Sequence, residues 1–193
     1  MRIKESIEQS IALKQNILSN EHIIKTIETI VDVITKTFRN GGGVYFCGNG
    51  GSAADAQHLA AEFSGRFYFD REPLNSEALH ANTSYLTAVA NDYSYDEIYS
   101  RMIKAKGKKG DVLVGISTSG NSSNILKAIE TANQMGIITI GLTGEKGGKM
   151  NEICNYIIKV PSNDTPRIQE AHILIGHIIC EIVEANLFER KQS

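Results

Sequence analysis

His58 and Glu62 have the residue types and the spacing that acid–base or metal chemistry requires. They are four residues apart in a stretch that favours a helix, so an imidazole and a carboxylate lie on one face, one turn apart. Such a pair can share a metal ion or transfer protons. The same spacing also occurs on ordinary solvated helices, but the rest of this stretch is mostly Ala, Leu and Phe. The pair is therefore a candidate site.

A second set of polar residues interrupts an apolar stretch near the C-terminus. We expect a helix there, with Thr165 as its N-cap and Pro166 in its first turn. At about 100° per residue, Gln169 and His177 lie about 80° apart and can converge on one point. His172 lies about 140° from His177, so the two histidines do not easily serve one site. Spacing alone leaves the choice between them open.

A glycine-rich loop, Gly48 to Ala53 (GNGGSA), follows the apolar segment 44–47. It matches the G-x-G-x-x-A pattern of dinucleotide-binding folds, and Asp70 could be the acidic residue expected about 20 positions later. However, Phe67 to Phe69 is very short for a central strand, and a single match of this kind is not specific. A tight turn that reverses the chain is the alternative.

A serine-rich loop, residues 117–122 (STSGNS), lies between a predicted strand and a predicted helix. Hydroxyls beside the free N–H groups of a helix N-terminus suit an oxyanion, because the helix dipole also favours negative charge. The alternative is simple N-capping, which needs only one or two such residues. Four hydroxyls with a glycine favour phosphate binding. The P-loop lysine is missing from the motif, which disfavours nucleoside triphosphate hydrolysis.

Short apolar strands alternate with helices along the chain, which predicts a parallel sheet covered on both faces. Two amphipathic helices, 3–19 and 23–38, precede it. Ligands bind beyond the carboxyl ends of the strands in such sheets, and both loops fall there. We predict strands at 44–47, 111–116, 137–142 and 156–160, a short strand near 78–79, and helices at 52–63, 83–90, 96–106, 122–135 and 165–188.

Composition limits the cellular setting and the partners. The 193 residues carry 20 basic and 22 acidic side chains, a net charge of −2, which argues against a nucleic-acid-binding surface. Three cysteines without a C-x-x-C pair favour a reducing cytoplasm. The charged N-terminal segment does not resemble a signal peptide, and no apolar run approaches the ~20 residues of a membrane span. We expect a cytoplasmic protein with no membrane or nucleic-acid partner.

Five segments together resemble the phosphoheptose (sedoheptulose 7-phosphate) isomerases of the sugar isomerase (SIS) domain family. The resemblance implies an α/β fold: a SIS-type three-layer sandwich with a parallel five-stranded sheet flanked by helices, plus the N-terminal helical pair. It implies one domain over 1–193, with helices in 1–40 for oligomerisation and a sugar-phosphate-binding core at 44–188. The segments are CGNGGSAADAQHLAAEFSGRF, AVANDYSYDEIYSR, GDVLVGISTSGNSSNILKAI, LTGEKGGKM and RIQEAHILIGHIICEIVE.

The resemblance also implies the site residues and their roles. One zinc ion per subunit would be held by His58, Glu62, Gln169 and His177, which assigns His172 to packing. Glu62 would be the base and His177 the acid, in a homotetramer with sites near the subunit interfaces. The implied substrate contacts are Asn49, Gly50, Gly51, Ser52, Glu62, Asn91, Asp92, Ser117, Thr118, Ser119, Ser122 and Gln169.

The implied reaction interconverts D-sedoheptulose 7-phosphate and D-glycero-D-manno-heptose 7-phosphate through an enediol. It is the first step toward activated heptoses for bacterial surface glycans such as lipopolysaccharide or capsule. The alternative is a non-catalytic SIS module that binds a phosphosugar or a protein, like the replication-initiator-associating relatives. A binding module has no need of both Glu62 and His177, and this chain has both.

Overall fold

The sheet at the centre of the fold is built from short apolar segments. The computed structural model describes residues 2–188, and within that range five parallel strands pair in the order β2-β1-β3-β4-β5. Both β1 and β3 are buried along their whole length, as expected for strands covered on both faces. The strands are β1 (Val44–Gly48), β2 (Ser76–Ala78), β3 (Val112–Ile116), β4 (Ile138–Thr143) and β5 (Tyr156–Lys159).

Helices form a layer on each face of the sheet. Val44 and Phe46 face a core shared with α1, α2, α3 and α8, and Tyr45 and Cys47 face a core shared with α4, α5, α6 and α7. The predicted three-layer α/β architecture is confirmed. The first layer contains α1 (Arg2–Ser19), α2 (Glu21–Arg39), α3 (Gly51–Ser64) and α8 (Thr165–Leu187), and the second contains α4 (Thr83–Asp92), α5 (Ile98–Lys106), α6 (Ser123–Gln134) and α7 (Met150–Ile153).

The strand order places both predicted loops at one point of the sheet. The direction in which strands are added reverses between β1 and β3. After β1 the chain adds β2 on one side of the sheet, and after β3 it adds β4 on the other side. In a doubly wound sheet a crevice opens at this reversal, beyond the carboxyl ends of the strands. The glycine-rich loop follows β1 and the serine-rich loop follows β3. The topology therefore places both loops at the edge of the sheet where the sequence predicts a ligand site.

The N-terminal helices pack on α8, at the other end of the chain. Ser10 Oγ donates to Glu170 Oε2 at 2.8 Å, and an Arg167 nitrogen donates to the Ser6 carbonyl oxygen. Leu13 and Ile17 are buried on the inner side of α1, whereas its outer side exposes apolar residues. The exposed set is Ile3, Ile7, Ile11 and Leu18. No helix within residues 2–188 combines the length and apolarity of a bilayer crossing.

Some local expectations are wrong. Thr165 is not the cap of α8: Asp164 is the N-cap residue, without a side-chain hydrogen bond, and Thr165 is already helical. Pro166 does lie in the first turn. The segment 67–69 is not a strand, so the acidic strand-end residue of a dinucleotide fold is absent there. The structure also contains two elements that the sequence does not predict as separate helices, a short 3₁₀ helix (Tyr95–Glu97) and α7. The predicted domain 1–193 includes Met1 and residues 189–193, which lie outside the described range.

Candidate functional site

Three of the predicted ligands meet between α3 and α8. His58 Nε2 lies 3.0 Å from Glu62 Oε1 and 3.4 Å from His177 Nε2. The two imidazole rings meet edge to face, with centroids 4.9 Å apart. One ligand atom of each residue lies within 4.8 Å of the others, so this group can hold a metal ion. His58 is exposed, while His177 and Glu62 are partly buried.

The fourth predicted ligand, Gln169, lies elsewhere on α8. Its amide packs against Gly51, where an added Cβ would come within 2.6 Å of Nε2. Gln169 precedes His177 by eight residues, which is about 12 Å along a helix axis. The structure thus places the Gln169 amide beside the glycine-rich loop, at the start of α3.

His172 is a core residue. It is fully buried, and Nε2 donates to the Thr143 carbonyl oxygen at 3.1 Å. Burial lowers the pKa of His172 to about 4, although the hydrogen bond to Thr143 works in the opposite direction. This histidine is therefore neutral near pH 7. The expectation that His172 serves packing agrees with its position.

The glycine-rich loop turns directly into α3. Gly50 is the N-cap of α3 with φ +56°, a left-handed conformation that glycine adopts without steric cost. Gly48 has no room for a side chain, because a Cβ would lie 2.3 Å from the Ser52 carbonyl oxygen. The amides of Asn49 and Asn124 exchange two hydrogen bonds, at 2.9 and 2.8 Å. Since Asn124 begins α6, this pair joins the two loops.

The serine-rich loop presents hydroxyls that do not cap a helix. Ser122 is the N-cap residue of α6, but its hydroxyl lies 3.0 Å from Ser117 Oγ and makes no capping hydrogen bond. Ser117 Oγ is also 3.5 Å from Ser119 Oγ. The loop rests on residues 144–150 through hydrogen bonds to the carbonyls of Thr118 and Gly120. N-capping thus does not explain the Ser122 hydroxyl, and the hydroxyls of Ser119 and Ser122 both lie next to that of Ser117.

Asn91 and Asp92 end α4 and are exposed. Asn91 donates to Asp92 Oδ1 at 2.9 Å, and within residues 2–188 no side-chain hydrogen bond or ion pair joins these two residues to either loop. The link is made by Tyr95, three residues later, whose hydroxyl lies 3.2 Å from Asn49 Oδ1. The structure therefore brings the segment that follows Asp92 close to the glycine-rich loop.

Sequence reasoning missed several residues around the site. Asn124 and Tyr95 hold Asn49, but a polar residue in the first turn of a helix, such as Asn124, is no specific signal in a sequence. Asp55 lies one turn before His58. Burial raises the pKa of the Asp55 carboxyl, and the smaller effect of His58 works in the opposite direction. Arg71 and Glu184 form a buried ion pair, and Arg71 also donates to the Glu62 carbonyl oxygen. Nothing in local sequence distinguishes either residue from an ordinary surface charge.

Fold and site together define a class of protein. The family model described as "SIS domain" matches residues 7–144. A chain with the same architecture, "Structure of phosphoheptose isomerase GmhA from Neisseria gonorrhoeae", superposes with a TM-score of 0.89 and 39% sequence identity, over 95% of this chain and 97% of the other. This is an SIS domain protein.

Relatives narrow the class further. "Phosphoheptose isomerase" of Aneurinibacillus thermoaerophilus is 54% identical over 98% of this chain and 96% of its own length. "Phosphoheptose isomerase 2" of Campylobacter jejuni is 57% identical over 96% of this chain and 92% of its own length. The chain belongs to the phosphoheptose isomerases of the SIS domain family.

Proposed function

We propose that this protein is an aldose–ketose isomerase that interconverts D-sedoheptulose 7-phosphate and D-glycero-D-manno-heptose 7-phosphate. The observation that carries the proposal is the His58–Glu62–His177 group, which combines a carboxylate with two facing imidazoles. Family membership makes the non-catalytic alternative unfavourable. The product would be the first intermediate toward activated heptoses for bacterial surface glycans.

Glu62 is the proposed base. Isomerisation moves one proton from C1 to C2 of the sugar and a second proton between the two oxygens, through an enediol. Oε1 of Glu62 faces His58, and the other carboxylate oxygen has its own lone pairs to take the C1 proton and return it to C2. The carboxylate is only partly exposed, which limits competing exchange with water.

His177 is the proposed acid for the oxygens. Its Nε2 faces His58 Nε2 at 3.4 Å, so at least one of these two nitrogens is unprotonated, and both would be unprotonated with a cation between them. When Nε2 binds a metal, it carries no proton, and the proton that His177 can give is the one on Nδ1. The ring is held by Phe67, at 5.8 Å between centroids.

We propose zinc as the resident metal, one per subunit. Zinc bonds to imidazole and carboxylate are about 2.0–2.2 Å long, so tetrahedral ligand atoms lie roughly 3.3 Å apart, close to the observed 3.0 and 3.4 Å. His58, Glu62 and His177 would hold the ion, and it would supply Lewis acidity toward a sugar oxygen. The family also implies Gln169 as a ligand, and its position in this chain does not explain that role.

The phosphate is proposed to bind at the serine-rich loop, through Ser117, Thr118, Ser119 and Ser122. Gly51 and His58 are seven residues apart on α3, about 10 Å along the axis, a length that an extended seven-carbon sugar phosphate can span. Phosphate binding would therefore orient the reacting end of the sugar. The proposed sugar contacts are Asn49, Gly50, Gly51, Ser52, Glu62, Asn91, Asp92 and Gln169.

A homotetramer with sites near subunit interfaces is the proposed assembly. Ile3 and Leu18 are 78% and 76% exposed on the outer side of α1, and a row of apolar side chains of this kind is typical of an interface. The inner side of α1 contacts α8 at Glu170, beside Gln169. The proposed location is the cytoplasm, where the three free cysteines stay reduced.

The direct test is incubation of the purified protein with sedoheptulose 7-phosphate, followed by NMR for the aldoheptose phosphate. We expect Glu62→Gln and His177→Gln each to lower kcat at least ~100-fold, the usual contribution of an acid or base. His22→Gln, an exposed histidine on α2, is the matched control. A parent protein that forms no aldoheptose rejects the function, and normal turnover in both variants removes these residues from the chemistry.

A further inference from the structure

A buried ion pair lies directly behind the proposed acid and base. Arg71 Nε donates to Glu184 Oε1 at 2.8 Å, and the two side chains are 2% and 1% exposed. Burying two charges is costly unless their remaining hydrogen-bonding capacity is also used. Both groups use it: Arg71 binds the end of α3, which carries Glu62, and Glu184 binds the backbone of 67–69, where Phe67 contacts the His177 ring.

Glu184 organises the segment that follows α3. Its carboxylate accepts hydrogen bonds from the backbone N–H groups of Phe67, Tyr68 and Phe69, at 2.9, 2.6 and 3.2 Å. Burial would raise the pKa of Glu184, but these hydrogen bonds and Arg71 outweigh it and hold the pKa below its ordinary value. The ionised carboxylate therefore gives the segment one fixed conformation.

Arg71 closes the C-terminus of α3. The last carbonyl groups of a helix have no partners within the helix. Arg71 donates to the carbonyl oxygen of Glu62 at 2.9 Å and to that of Phe63 at 2.8 Å. It also donates to the Gly65 carbonyl at 3.1 Å. Glu62 is in the final turn of α3, so the direction of its side chain depends on whether this turn is formed.

The ion pair also restrains the ring of His177, through Phe67. Phe67, held by Glu184, packs against the His177 ring. Glu184 itself is seven residues after His177 on α8, which places both on the same face of that helix, two turns apart. One ion pair thus joins three segments: the end of α3 with Glu62, the segment 65–72 with Phe67, and α8 with His177.

We propose that the Arg71–Glu184 pair is a positioning device that sets the relative placement of Glu62 and His177. This rests on the proposed isomerase function. Neither residue touches the proposed reacting atoms, and the serine-rich loop belongs to other elements. Loss of the pair should therefore reduce turnover more than substrate binding. A misplacement of about 1 Å can cost about 100-fold in rate.

The experiment compares Arg71→Lys and Glu184→Gln with the parent, well below the melting temperature of each variant. Both substitutions nearly preserve side-chain length, and Arg71→Lys also keeps the positive charge beside Glu184, so at least this variant should give folded protein. We expect kcat to fall about 10- to 100-fold, with KM changed less than about threefold. Lys127→Met, which breaks the exposed Lys127–Glu97 pair, is the matched control and should leave both constants unchanged.

If the pair serves stability alone, the variants should have a lower melting temperature, and kcat of the folded variants should stay within about twofold of the parent. That result would overturn the proposal. Crystal structures of the two variants provide a readout that does not need turnover. Displacement of Phe67 from the His177 ring and a changed Glu62–His177 separation would support positioning, and unchanged separations would reject it. A parent without isomerase activity would refute the proposed function alone, because the crystal structures would still decide the role of the pair.

Discussion

Replacing Gly120 with alanine should damage the serine-rich loop, the proposed phosphate-binding site, in a predictable way. Gly120 has φ +65°, and a Cβ there would lie 2.0 Å from the carbonyl oxygen of Gly147. Real Cβ contacts essentially never fall below 3.0 Å, so the two segments must separate by about 1 Å. The neighbouring atoms belong to backbone rather than to flexible side chains, and the shift therefore involves the loop itself.

The cost follows from the contacts at this position. A left-handed conformation costs a non-glycine residue about 1–2 kcal/mol. Separation of the segments also weakens the hydrogen bonds from Gly144 N to Thr118 O and from Met150 N to Gly120 O, each worth about 1 kcal/mol. We therefore expect Gly120→Ala to lower the free energy of unfolding by about 3 kcal/mol. The displaced hydroxyls should raise KM for the sugar phosphate at least about 10-fold.

Gly41→Ala is the control, because Gly41 also has a positive φ, +73°, but no described atom lies within 4 Å of its Cβ position. It should lose only the conformational 1–2 kcal/mol, and KM should not change. Thermal melting measures the loss of stability, at roughly 2–4 °C per kcal/mol for a chain of this size. Steady-state kinetics with inorganic phosphate as inhibitor measure the loss of phosphate binding. Equal stability losses and an unchanged KM in both variants would refute the reasoning.

Three further predictions concern other parts of the site. His58→Ala should abolish stoichiometric metal binding, measured by metal analysis of dialysed protein, whereas His22→Ala should retain it; full metal content in the first variant would contradict the proposed site. Asn124→Asp removes a donor to Asn49, and the lost hydrogen bond of about 1 kcal/mol should raise KM about 5- to 10-fold with little change in melting temperature. His172 has a folded-state pKa of about 4, below its unfolded value, so its contribution to stability is complete above pH 6.5 and is lost as the pH falls toward 4. In urea denaturation, the free energy of unfolding should be roughly 2 kcal/mol lower at pH 5 than at pH 7 because of His172. The variant His172→Gln should lack this difference.

The sheet and its loops could be predicted because their signals are local. The fully apolar strands β1 and β3 and the helical periodicity of 23–38 depend only on neighbouring residues. The His58–Glu62 pair was likewise visible, since a four-residue spacing fixes the relation of two side chains on one helix. The segment 64–81 gave no such pattern, because its conformation depends on hydrogen bonds to Glu184, more than a hundred residues away.

Relations between helices were harder to obtain from sequence. Gln169 and His177 share a side of α8 by angle, but their separation along the axis keeps Gln169 at Gly51. Asn124 looks like an ordinary residue of a helix start, and its role appears only when β1 and β3 lie side by side. Ser122 stands where a cap is expected, yet its hydroxyl turns to Ser117. These outcomes depend on tertiary packing, which overrides local preference.

The packing of α1 and α2 against α8 has a consequence for how the chain is made. Ser10 and Glu170 are separated by 160 positions, and Arg39 donates to the backbone oxygen of Asn186. A ribosome delivers α1 and α2 before α8, whose surface covers their isoleucines. Until α8 has left the exit tunnel, this layer cannot close, and the nascent chain must keep the apolar residues of α1 and α2 exposed or shielded by a chaperone.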